Sequence, residues 1–180
     1  MAQECGISSR AVGPLAMIGV REGDDALQIG VDDASLATQI ASAVGSKGHA
    51  AIAVSDPRQA DRAQAFAERA GAIVDVHLAA LDALPFQPDS FDLVVVHAGG
   101  VAVDLDDLSG RAILCDIRRV LRSGGRVIIL EGGARDLWRR LSRRRISPAE
   151  SRLTALRAAG FTAARLLAER EGHRFFEAVK

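Results

Sequence analysis

Ala26-Leu27-Gln28-Ile29-Gly30-Val31-Asp32-Asp33-Ala34-Ser35 is the stretch whose reading decides the fold. A short apolar run ends at Gly30, and Leu36, Ile40, Ala43 and Val44 recur at helical spacing directly after it. Strand, tight turn and helix N-terminus thus follow one another without a gap, the arrangement at which open α/β sheets receive nucleotide-like ligands. A turn that lets backbone press against a ligand is usually rich in glycine, which takes φ > 0 freely and has no Cβ to collide. Here Gly30 is followed by Asp32 and Ala34 where further glycines are expected.

Outward from this stretch the same alternation recurs. Apolar runs predict strands over 26–29, 50–54, 72–78, 91–96 and 127–130. The run at 91–96 is near-continuously apolar, as expected where helices cover both faces of a parallel sheet. Helices are expected over 11–20, from Leu36 to Gly45, from Pro57 to Gly71, over 108–122, over 134–145 and over 148–159. Asp56-Pro57 gives the third of these an N-cap and a first helical residue, and Gly71 supplies its stop. Ser123-Gly124-Gly125 is read as the stop of the helix before it. Two last strands, 161–169 and 173–179, are joined by Glu171-Gly172 and are close enough to pair as a hairpin. Strand-then-helix units with a terminal hairpin define an α/β three-layer sandwich with an antiparallel last strand.

The 180 residues are 48% hydrophobic, enough for one well-buried core, so a single domain over 1–180 is expected, with 1–25 a helix and lead-in. Basic and acidic residues balance at 23 each, so no global field points to nucleic acid or membrane. Cys5 and Cys115 offer neither a disulfide framework nor a metal spacing, and plain thiols in a reducing cytoplasm are expected. The apolar patch at 11–20 follows Glu4, contains Pro14 and lacks a small-residue cleavage pattern, so it reads as a packing helix rather than a signal peptide.

Two stretches carry a likeness: Leu84-Pro85-Phe86-Gln87-Pro88-Asp89-Ser90-Phe91-Asp92 and Arg118-Arg119-Val120-Leu121-Arg122-Ser123-Gly124-Gly125-Arg126. With their spacing they resemble class I S-adenosylmethionine-dependent methyltransferases, especially the small bacterial type 11 group, over residues 26–180. The resemblance implies a Rossmann-like seven-stranded sheet, mostly parallel, and S-adenosylmethionine as cofactor. It also implies an acidic residue in the first strand, which falls on Gln28, and turn glycines, which fall on Asp32 and Ala34. The ribose carboxylate position falls on Val54, and the acidic position beside the adenine falls on Ala80.

The candidate cofactor contacts are therefore Gln28, Gly30, Asp32, Ser55, Asp56, Leu81 and Asp82. Asp56 has two readings, ribose contact or plain N-cap. Asp82 either turns toward the adenine or faces solvent. Asp32 and Asp33 satisfy a helix N-terminus, plug the turn, or meet the donor's positive charge. His97 ends the fourth strand and is the candidate general base or substrate contact. His49, His77 and His173 lack metal spacing. Arg135, Arg139, Arg140, Arg143, Arg144 and Arg145 surround Trp138 in the one basic cluster, the sole candidate nucleic-acid patch; a solvated helix is the ordinary reading.

Two functions stand side by side: a methyltransferase acting on a small substrate, and a non-catalytic relative that keeps the fold as a binding or assembly module. Pairing with a second copy of the chain is left open. Nicotinamide-dependent reduction is a weaker third reading, against which stand the absent Gly-x-Gly-x-x-Gly and the absence of tyrosine.

Overall fold

The computed structural model describes residues 12–31, 34–101, 104–132, 149–170 and 173–180. Its strands are β1 (Asp25–Ile29), β2 (His49–Val54), β3 (Asp75–Leu78), β4 (Phe91–His97), β5 (Leu121–Gly132), β6 (Thr162–Arg170) and β7 (His173–Val179). The described helices are α1 (Val12–Ile18), α2 (Ala34–Val44), α3 (Pro57–Ala70), α4 (Leu108–Val120) and α5 (Ala149–Ala158). All strands join one sheet in the order β3-β2-β1-β4-β5-β7-β6. β1 to β5 run parallel, and β7 is antiparallel to both β5 and β6. The expected layout, reversed final strand included, is the one observed.

Alternation along the buried strands sends side chains to two apolar layers. Leu27, Ile29, Val94, Val96, Val127 and Ile129 join Ile113, Leu114 and Ile117 of α4 and Leu156 of α5. Their neighbours Ala26, Leu93, Val95 and Ile128 join Ile18 of α1 and Leu36, Ile40 and Val44 of α2. Ala63 of α3 packs with Val31, Ala37, Ile52 and Val54 on the same side as α2. The sheet is therefore covered on both faces, which is why β4 is apolar without a break from Leu93 to Val96 and β5 from Val127 to Leu130.

Several expected boundaries move. The third strand begins at Asp75 rather than 72, because β3 is an edge strand whose first partner pair is Ala51 with Asp75; Ile73 before it is 91% exposed. The fourth helix ends at Val120 rather than 122. The presumed stop Ser123-Gly124-Gly125 lies inside β5, which begins at Leu121 and pairs with Phe91 before its register shifts. Gly124, at φ +78°, allows that detour, and the chain end closes on it: Gly124 N donates to Lys180 O and Lys180 N to Gly125 O. The expected helix at 134–145 and the Glu171-Gly172 turn lie outside the described residues.

Both family-like stretches prove to be scaffold. Arg119 forms an ion pair with Asp116 at 2.6 Å and donates to the carbonyls of Phe86 (2.8 Å) and Leu84 (3.0 Å), while Asp116 accepts from Leu84 N. One Arg–Asp pair on α4 thus fixes the loop before β4. Arg122 bridges Asp25 at 2.7 Å and Asp92 at 2.5 Å, tying β1, β4 and β5 together at their N-terminal ends.

Candidate functional site

From β1 the chain steps outward through β2 to β3, then restarts at β4 on the other side of β1. The switch point between β1 and β4 is where such sheets open to ligands, beyond the C-terminal ends of the strands. The loops after β3, β2, β1 and β4 form one rim there; Gly30, Ser55, Asp56, Leu81 and Asp82 lie on it, and Gln28 lies inside β1 below it.

At the switch point the two loops touch. Gly30 has φ +73°, and a Cβ there falls 2.9 Å from the carbonyl carbon of Gly100 and 3.0 Å from His97 O. A Cβ on Gly100 falls 2.4 Å from Val31 N. Only glycine lets the turns approach this closely. Gly30 N continues the ladder to Ala53 O at 2.9 Å, and Gly100 N turns back to His97 O at 2.8 Å.

Beneath this contact sits Gln28, 1% exposed. Its Nε2 donates to Gly30 O at 3.1 Å, and its Oε1 has no partner among the described residues. A buried acceptor left unsatisfied costs about 1–3 kcal/mol, which a ligand N–H or O–H would relieve. Gln28 pairs in register with Val95, so His97, two residues on, shares its face of the sheet. His97 is buried at 7% exposure.

The β2 and β3 parts of the rim are different. Val54 is fully buried, packed with Ile52 and Ala63, so the expected ribose position carries no acid. Asp56 caps α3 with its carboxylate on Arg58 N at 2.9 Å, which is its N-cap reading, and Ser55 beside it is exposed. Leu81 turns its side chain into the core, leaving only backbone for the rim, and Asp82 is exposed. Asp32, Asp33 and the Arg135–Arg145 cluster lie outside the described residues.

Two features escaped the sequence reading. Gln59, in the first turn of α3, spans the rim: its Oε1 accepts from Val31 N at 3.2 Å and its Nε2 donates to Gly100 O at 3.1 Å. A Gln three residues after an N-cap signals only a capping box. At the end of β5, Glu131 pairs with Arg152 of α5 (2.6 Å) and Arg174 of β7 (2.5 Å), and Arg152 also holds Asp106 (2.5 Å). These charges are far apart in sequence and carry no local signal. Among the described residues no His, Cys, Asp and Glu group could hold a metal, and no helix is long and apolar enough to cross a membrane.

A doubly covered parallel sheet with a glycine contact at its switch point defines a nucleotide-type α/β protein. Residues 27–129, more than half of the chain, match the family described as a methyltransferase domain, and the chain belongs to that family, within the class I S-adenosylmethionine-dependent methyltransferases. Solved structures give the same fold. A SAM-dependent methyltransferase from Aquifex aeolicus is 17% identical over 93% of this chain and 88% of its own, with a TM-score of 0.73. A putative S-adenosyl-L-methionine-dependent methyltransferase from Methanococcus maripaludis is 17% identical over 95% and 83%, at 0.73. The [4+2]-cyclase SpnF is 18% identical over 95% and 80%, at 0.74. At these identities the likeness is one of fold, and the cyclase among them means that fold does not settle reaction. Comparison with curated proteins gives no match.

For S-adenosylmethionine, the cofactor this family implies, the rim fits in one half and departs in the other. The backbone of the turn after Gly30 and the Gln28 Oε1, which has no partner among the described residues, suit a ligand's polar, amino-acid end. At the nucleoside end Val54 offers no carboxylate, and Asp56 is engaged as a cap.

Proposed function

We propose that this chain binds S-adenosylmethionine over the C-terminal ends of β1, β2, β3 and β4 and transfers its methyl group to a small substrate. The observation that carries the reading is the glycine-to-glycine contact at the switch point above a buried acceptor without a partner among the described residues. In this reading Gln28, Gly30 and Asp32 hold the amino-acid end, and Ser55, Asp56, Leu81 and Asp82 border the nucleoside end. Bound there, the sulfonium group supplies an activated methyl carbon. The protein's part is chiefly alignment, worth about 7–11 kcal/mol in well-oriented reactions. His97, the last residue of β4, orients the accepting atom or takes its proton.

Val54 favours a second reading, in which the fold serves as a non-catalytic binding or assembly module. Thermal unfolding with S-adenosylhomocysteine at about 100 times its dissociation constant separates the two. A donor-binding protein gains about 2.7 kcal/mol, which for this size raises the midpoint by roughly 5–10 °C. An unmoved midpoint at millimolar ligand supports the second reading.

A further inference from the structure

We infer that Gln59 controls access of the donor to the turn after β1, an inference that rests on the function proposed above. Its carboxamide holds one backbone group from each of the two loops that meet at the switch point, Val31 N and Gly100 O. Val31 N–H belongs to the turn that leads into α2, the kind of place where an anionic or polar ligand finds its backbone donors. While Gln59 Oε1 accepts from it, that donor is satisfied within the protein. The second arm of the same side chain keeps the loops in backbone contact, Gly100 lying so close to Val31 N that a Cβ would stand at 2.4 Å. A ligand that takes the Val31 N–H has to displace the carboxamide.

Gln59 also has an alternative position. It is the third helical residue after the N-cap Asp56. From there a Gln side chain reaches back to the N-cap residue's own N–H in a capping box. A displaced carboxamide can place its Oε1 there, whereas the loop-bridging arrangement, the one observed, competes with the donor. Asp56 fixes the helix start in both, so the switch needs only side-chain rotation about α3.

The test is calorimetric titration of wild type, Gln59→Ala and Gln59→Leu with S-adenosylhomocysteine, with amide hydrogen exchange at Val31 measured in the same three proteins. Leu nearly preserves the volume and removes both hydrogen bonds. Faster exchange at Val31 and about tenfold tighter binding in both variants are expected, the size set by two neutral hydrogen bonds. Measurable wild-type binding that is equal or weaker in the variants, or unchanged Val31 exchange, overturns the latch and leaves the donor reading intact. Binding by none of the three at millimolar ligand overturns the donor reading and the latch with it.

Discussion

Gly30 combines two constraints that Gly71 separates. Gly30 lies at φ +73° and faces backbone at 2.9 Å, whereas Gly71 lies at φ +63° with nothing within 4 Å. Gly71→Ala is expected to cost about 1 kcal/mol, the conformational penalty alone. Gly30→Ala adds overpacking against unyielding backbone and is expected to lose about 3 kcal/mol, several degrees more in the calorimetric midpoint. Equal losses would contradict the close approach of the two turns. At this scale the N-cap role of Asp56 was legible, because Asp-Pro before a helix has a local cause. Gln59 was not, because its partners at Val31 and Gly100 are 28 and 41 residues away.

At the scale of elements, the stretches that resembled the family are clamps. Arg119→Ala removes the ion pair to Asp116 and the bonds to two carbonyls of the loop before β4. It is expected to destabilise by about 1–3 kcal/mol and to speed amide exchange within 79–90 more than elsewhere. Uniform exchange across the sheet would contradict a local clamp. Burial on its own raises the Asp92 carboxyl pKa, but the Asp25 N–H and the Arg122 guanidinium outweigh it and hold the group below its ordinary value of 3.8. The hydrogen bonds to Asp92 and Asp25 in turn hold Arg122 above its usual range. A depressed folded pKa means stability that is full above the unfolded value and is lost as pH falls through the folded one. Wild type is therefore expected to exceed Asp92→Asn by a constant margin at neutral pH, and that margin shrinks on acidification below about pH 4. A margin that grows in acid would contradict this assignment. The β5 start was misread for a related reason. Ser123-Gly124-Gly125 has the composition of a helix stop, and only the pairing with β4 and with Lys180 makes it strand.

Over the whole molecule, the order of strands was readable because each apolar run is bounded by turn residues and the hairpin is local. The ionic cluster of Asp106, Glu131, Arg152 and Arg174 was not, since three elements and the loop before α4, distant in sequence, build it. Arg152 is 5% exposed at its centre, so Arg152→Ala strands carboxylates in a dry place and is expected to cost about 3–5 kcal/mol in chemical denaturation. A loss under 1 kcal/mol would show that water reaches the cluster. The same distance in sequence hides the bridge from Gln59 to Val31 and Gly100.

The central claim is that the donor lies on the rim after β1, β2, β3 and β4. Amide chemical-shift mapping with S-adenosylhomocysteine tests it most directly. The account predicts saturable shifts confined to Gly30, Val31, Ser55, Asp56, Gln59, Leu81, Asp82, His97 and Gly100 and their immediate neighbours. Shifts centred on any other part of the sheet, or none at millimolar ligand, would contradict it.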